Sequence, residues 1–174
     1  MFDQPTIPDM KFVSLPAVPD IVPPPQLLDP GFEMPNVGNG YMTKPGADSP
    51  WVWGGKTCGV AGNGSAMTSG NPPAPDGTQV AFLQGDNMNC SQSVIFAAGN
   101  FTISFMAAQQ AGSNQTIQVQ ADANVVGSFT PPDTNYSSYT TPPFPMFAGL
   151  RAVMLKSTST GTVLIDSVSI SNAP

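Results

Sequence analysis

Ten aspartates, one glutamate, five basic side chains and no histidine limit what this 174-residue chain can do chemically. Without histidine there is no Ser–His or Cys–His nucleophile pair, no imidazole base and no histidine zinc ligand. Glycoside hydrolysis needs two carboxylates facing each other across a cleft. Here Glu33 is the only glutamate, and Asp48, Asp76, Asp86 and Asp133 sit in turn-like stretches where capping explains them. Catalysis is therefore not expected. Asp166 is different. In the run Val163-Leu164-Ile165-Asp166-Ser167-Val168-Ser169-Ile170, alternation puts it on one face with Leu164, Val168 and Ile170, pointing inward. A buried carboxylate needs a cation, a basic partner or backbone N–H donors, and the sequence leaves all three open.

Sugar recognition is the other chemistry within reach. Tyr136 and Tyr139 lie in a polar stretch with Asp133 and Asn135, and these are the candidate glycan-binding residues. Trp51 and Trp53 share one strand face, and no row of aromatics is spaced for a polysaccharide. A net charge of −6 with only five cations excludes a phosphate-neutralising patch, so no nucleic-acid partner is expected. No apolar run approaches the ~20 residues of a membrane span, and residues 1–30 lack the basic start and apolar core of a secretion leader. Cys58 and Cys90 are too few for a disulfide scaffold or a zinc site, and read equally as a pair or as two buried thiols.

The elements that must position these residues divide at Gly31. Residues 1–30 hold eight of the 20 prolines and none of the 17 glycines. Proline fixes φ and removes a donor, so this stretch is incompatible with a helix or a central strand and is expected to run extended. It is also apolar. Ile7, Met10, Phe12, Val13, Leu15, Val18, Ile21 and Val22 make residues 1–28 an expected anchoring arm that lies along a partner surface. An arm that wraps its own domain is the plainer alternative. Beyond it, residues 29–174 read as short period-two runs punctuated by Gly, Pro, Asn and Asp. Phe101, Ile103, Phe105 and Ala107 share one face; Ile117 and Val119 share another. Gly99-Asn100 and Asp122-Ala123-Asn124 read as hairpin turns, and the prolines of 141–145 demote that run to an edge or a loop. No window predicts a helix. The fold class is all-β: a single β-sandwich jelly roll with an extended Pro-rich N-terminal arm.

Several blocks carry a resemblance. Asp29-Pro30-Gly31-Phe32-Glu33, Trp51-Val52-Trp53-Gly54-Gly55, Ala74 to Gly85, Ala98 to Phe105 and Ile165 to Ile170 follow in order. Together they resemble carbohydrate-binding-module-like (galactose-binding-like) jelly rolls over residues 29–171. The resemblance implies that Trp51 and Trp53 pack in the core. It also implies that Glu33 and Asp166 bind a structural Ca2+, with backbone carbonyls completing the shell. Fold alone does not give function.

Two functional expectations follow. An acidic sandwich with an anchoring arm resembles the layout of a decoration, or cement, protein of tailed-bacteriophage heads. That reading makes it a non-enzymatic virion protein whose partners are capsid subunits, assembled as a homo-oligomer, its loops touching cell-surface glycans. The alternative is a carbohydrate-binding module of a secreted or surface protein, extracellular, with the arm as a linker.

Overall fold

Alternating burial builds two facing sheets. The computed structural model describes residues 23–174, so the arm residues Ile7, Met10, Phe12, Val13, Leu15, Val18, Ile21 and Val22 lie outside the described residues. Twelve strands follow: β1 (Tyr41–Thr43), β2 (Val52–Gly54), β3 (Cys58–Gly62), β4 (Gln79–Gln84), β5 (Asn89–Phe96), β6 (Gly99–Gln109), β7 (Ile117–Ala121), β8 (Asn124–Phe129), β9 (Ser137–Thr140), β10 (Phe144–Met146), β11 (Gly149–Ser157) and β12 (Thr162–Asn172). The described helical structure is one 3-10 turn at Gly46–Asp48. A seven-stranded sheet runs β1-β3-β4-β12-β6-β10, with β9 also on β6, and a five-stranded sheet runs β2-β5-β11-β7-β8. Every pairing is antiparallel.

The period-two runs supply the core between the sheets. Phe101, Ile103, Phe105 and Ala107 of β6 face Val94 and Phe96 of β5, Ile117 and Val119 of β7, and Val153 and Leu155 of β11. Trp51 and Trp53 are buried in the same cluster. Cys58 and Cys90 belong to it too, on opposite sheets, both as free buried thiols. Burial pushes both thiols up, which disfavours the reactive thiolate.

Three sequence expectations meet the structure at turns and edges. Asp122 and Ala123 both take positive φ, 47° and 66°, and join β7 to β8 with Ala121 opposite Asn124, as a two-residue hairpin requires. Pro142-Pro143 breaks the outer edge of the seven-stranded sheet, so β6 is flanked by β9 and then β10 instead of one continuous strand. The Gly99-Asn100 hairpin, by contrast, does not exist. β5 and β6 belong to different sheets, and Gly99 and Asn100 pair with Met146 and Pro145. Both runs are apolar on one face, and two such faces can cover each other only from opposite sheets, so the chain arches over the core at residues 97–98.

The face assigned to Asp166 also needs correction. Asp166 pairs with Met106 but Ser169 pairs with Ser104, so β12 carries one extra residue, with Ser167 at φ 52°. This bulge reverses the alternation. Val163, Ile165, Val168 and Ile170 face the inter-sheet core, whereas Leu164 joins Ala61, Val80 and Phe82 in a second cluster on the outer face, covered by Met67, Ala74 and Tyr136. Asp166, two residues beyond Leu164 and before the bulge, shares that outer side.

Ala123 holds a left-handed conformation that costs a Cβ-bearing residue roughly 1 kcal/mol. Ala123→Gly is expected to stabilise the domain by about 0.5–1 kcal/mol, read as a higher melting temperature in calorimetry.

Candidate functional site

The loop Asp29-Pro30-Gly31-Phe32-Glu33 is built around its own first carboxylate. Asp29 Oδ1 accepts the Glu33 N–H at 2.7 Å and Oδ2 accepts the Met34 N–H at 3.0 Å. Asp29 and Phe32 take φ values of 49° and 57°, curling the backbone around that carboxylate. The fully buried Phe32 ring lies 4.9 Å from the Trp51 ring, and the Trp51 indole donates to the Asp29 carbonyl at 2.8 Å. The loop is therefore pinned into the core by an aromatic, and Glu33 is carried out to a fixed place beside residues 76–79.

Glu33 then caps the approach to β4. Its Oε1 accepts the N–H groups of Thr78 at 2.9 Å and Gln79 at 2.8 Å, and its Oε2 accepts the Thr78 hydroxyl at 3.1 Å. The side chain presses on Gly77, whose φ is 63°, and a Cβ there would collide with the Glu33 carboxylate. Asp76 lies against Gly31, where a Cβ would stand 2.7 Å from its Oδ2. The buried Gln79 amide donates to the carbonyls of Phe32 and Pro35 at 2.9 and 3.0 Å, closing the same corner.

Asp166 completes the corner from the last strand. It is fully buried; Oδ2 accepts the Asp76 N–H at 2.8 Å and Oδ1 accepts the Ser167 N–H at 2.6 Å. Val168 donates to the Pro30 carbonyl at 3.0 Å, so the bulge and the opening loop are tied directly. Burial raises the Asp166 pKa to about 7, against its two backbone hydrogen bonds, and repulsion from Asp76 and Glu33 adds to the rise. Asp29 is raised as well, chiefly by burial. Among the described residues the one ion pair is Arg151–Asp122, at 3.2 Å, so no lysine or arginine offsets Glu33, Asp76 and Asp166.

The structure thus brings Glu33 and Asp166 to one corner and adds Asp76, which the sequence reading had assigned to turn capping. The Asp-Gly turn of 76–77 gave no local signal of a shared site; only the pairing of β4 with β12 brings it there. All donors are oxygens and the cluster carries excess negative charge, which is the chemistry of a hard-cation site. Among the described residues, however, no three acidic side chains come close enough together to hold a metal ion, so backbone oxygens would have to contribute.

The tyrosines lie elsewhere than on an open platform. Tyr139 is wedged at the sandwich edge, its ring 5.6 Å from Phe105 and 5.4 Å from Phe129. Tyr136 is half-buried against the second cluster, and its hydroxyl is buried without a hydrogen-bond partner. Burial, with a smaller contribution from the Asp166 charge, pushes that phenol up. Asp133 is exposed; its Oδ1 accepts the Asn135 N–H at 2.8 Å, and its carbonyl accepts from Gln109 at 2.8 Å. Asn71 ties this loop down by donating to the Gln109 and Thr134 carbonyls, both at 2.8 Å. Tyr41, passed over in the sequence, is the exposed tyrosine, its ring edge-on to Phe82 at 5.9 Å.

No family model matches the chain, and no curated protein matches it. Solved structures do. TmCBM61, determined in complex with β-1,4-galactotriose, superposes with a TM-score of 0.56 at 18% identity, covering 84% of this chain and 97% of that one. A family 35 carbohydrate-binding module from Clostridium thermocellum gives 0.54 at 11% identity, over 71% of this chain and 92% of that one. The carbohydrate-binding module CBM36, determined with calcium and xylotriose, gives 0.52 at 22% identity, over 68% and 92%. The chain has the galactose-binding-like β-sandwich fold that these carbohydrate-binding modules share.

Proposed function

We propose that this protein is a non-catalytic glycan-binding domain that works outside the cell and holds a structural Ca2+ at the Glu33–Asp76–Asp166 corner. The observation that carries the glycan reading is the likeness over nearly the whole of a galactotriose-bound module. The expected virion role, with capsid subunits as partners, finds no support among these matches, and the alternative drawn from the sequence is preferred. Sugar would be met at the loop end by Asp133 and the neighbouring amides. Tyr136 and Tyr139 would shape that end from beneath, since both rings are engaged in packing.

The cation reading rests on an imbalance of charge. A buried carboxylate without a basic partner is costly. Each Asp166 oxygen takes one backbone N–H, which leaves lone pairs for a metal. Glu33 and Asp166 offer oxygen donors and negative charge of the kind a hard cation takes, and bound calcium would supply the missing positive charge with backbone carbonyls completing its shell. Its role would be structural, clamping the opening loop to β12.

Glycan binding is tested by calorimetric titration against β-1,4-galactotriose, xylotriose and a broader oligosaccharide panel. Binding to at least one, weakened about tenfold by Asp133→Ala, is expected for a lost hydrogen bond to sugar. Silence across the panel sinks the reading.

For the cation, adding Ca2+ to chelator-treated protein at ~100 times its dissociation constant is expected to stabilise it by about 2.7 kcal/mol, an effect Asp166→Asn removes. An unchanged melting temperature would refute it. Without calcium the sign with pH is fixed. Asp166 binds its proton more tightly folded than unfolded, so stability falls as pH rises from about 4 through about 7. Asp166→Asn should flatten that fall, and calcium, which needs the carboxylate, should protect only as pH approaches and exceeds about 7.

A further inference from the structure

Phe147 is 80% exposed, the most exposed of the described large apolar side chains. The other described phenylalanines are wholly or partly buried, and Trp51, Trp53, Tyr136 and Tyr139 are all claimed by packing. A single exposed apolar residue is ordinary on a protein surface. What sets this one apart is the way its loop is held.

Phe147 and Ala148 join β10 to β11 at one end of the sandwich. Met146 pairs with Gly99 and Gly149 with Phe96, so the two residues cross between the sheets beside the arch at 97–98. Arg151 fastens them from β11. Its Nε donates to the Phe147 carbonyl at 3.3 Å and its Nη2 to the Ala148 carbonyl at 3.2 Å. Its Nη1 donates to Asp122 Oδ2 at 3.2 Å, and Asp122 Oδ1 accepts the Ala152 N–H at 3.1 Å. One guanidinium thus ties the Phe147 loop to the β7–β8 hairpin, on which Asn124 stands exposed. A planar fork on two successive carbonyls fixes the backbone in a way a lysine could not. The ring is therefore offered to water on a loop already set, and little order is left to lose when a ligand stacks on it.

The surroundings of the ring decide what stacks there. They hold a carboxylate, a guanidinium and an amide, from Asp122, Arg151 and Asn124. The contacts above use three of the five N–H groups of Arg151. A sugar ring has an apolar C–H face bordered by hydroxyls that both donate and accept. An aromatic face with polar groups at its border is the complement of that pattern. A protein hot spot would need a wide dry border instead. The exposed cross-strand pair Ile95 and Leu150 lies apart from this end, on the outer face of the five-stranded sheet.

The geometry points to Phe147 as a stacking platform for a sugar ring, with Asp122, Asn124 and Arg151 meeting its hydroxyls. The inference rests on the glycan reading of the domain and adds a second contact to it. Asp133 is held at Gln109, the far end of β6, so about 33 Å of strand at 3.3 Å per residue separates the two places.

The Phe147→Trp variant reads the site directly, because Trp51 and Trp53 are buried and iodide quenches chiefly the new indole. It is titrated with β-1,4-galactotriose, xylotriose and the wider oligosaccharide panel. At least one sugar is expected to move the emission to shorter wavelength and shield it from iodide, and the Asp133→Ala change should leave that response in place. In calorimetry, adding Phe147→Ala to the Asp133→Ala protein should weaken the remaining binding about tenfold, for the loss of one stacked ring. Silence of the unaltered protein across the panel removes the glycan reading and this site with it. Sugar binding that neither Phe147 variant senses overturns this inference alone. So does a shift to shorter wavelength that appears without sugar as protein concentration rises, which would make a second copy the occupant.

Discussion

The extra residue at Ser167 decides which way every side chain of β12 points, and both the core and the acidic corner depend on it. A strand reverses faces each time its register slips by one. Before the bulge, Leu164 and Asp166 look away from the inter-sheet core; after it, Val168 and Ile170 look in. Without the slip, the apolar residues that end the strand would face outward, or Asp166 would be driven between the sheets. The left-handed turn at Ser167 allows the last strand to close the core and still present a carboxylate to the opening loop.

That loop is the second half of the same device. Phe32 is the anchor, held against Trp51, and the tight backbone around Asp29 sends Glu33 in the opposite direction. Glu33 and Asp166 then reach the residues 76–79 that lead into β4, each by backbone hydrogen bonds. Three segments far apart in sequence are thereby joined by carboxylates instead of apolar contact. The arrangement concentrates negative charge where burial makes it costly, and the raised pKa of Asp166 is the physical consequence.

Much of the fold is legible in the sequence because sandwich strands bury one face and wet the other. Phe101, Ile103, Phe105, Ile117 and Val119 advertise this by alternation alone. The turn at Asp122-Ala123 was legible for the same local reason. Gly99-Asn100 misled because a glycine-asparagine pair marks a change of direction without saying which sheet the chain enters next. Of the candidate site, Glu33 and Asp166 came from resemblance and burial. Asp76 was hidden, because a carboxylate before a glycine looks the same whether it caps a turn or joins a cluster. Tyr136 and Tyr139 looked free in a polar stretch, yet the ladder between β6 and β9 and the outer cluster claimed both rings.

The sequence by itself determined the all-β class and the absence of histidine chemistry. Each of these rests on composition or on a period that neighbouring residues carry. Tertiary structure alone decided the sheet to which each strand belongs, the outward face of Asp166, its company with Asp76 and Glu33, and the exposed aliphatic strip at Ile95 and Leu150. Those depend on pairings across 45 to 90 residues and on a one-residue bulge. No local pattern encodes such a slip, because its energy comes from satisfying two sheet faces at once.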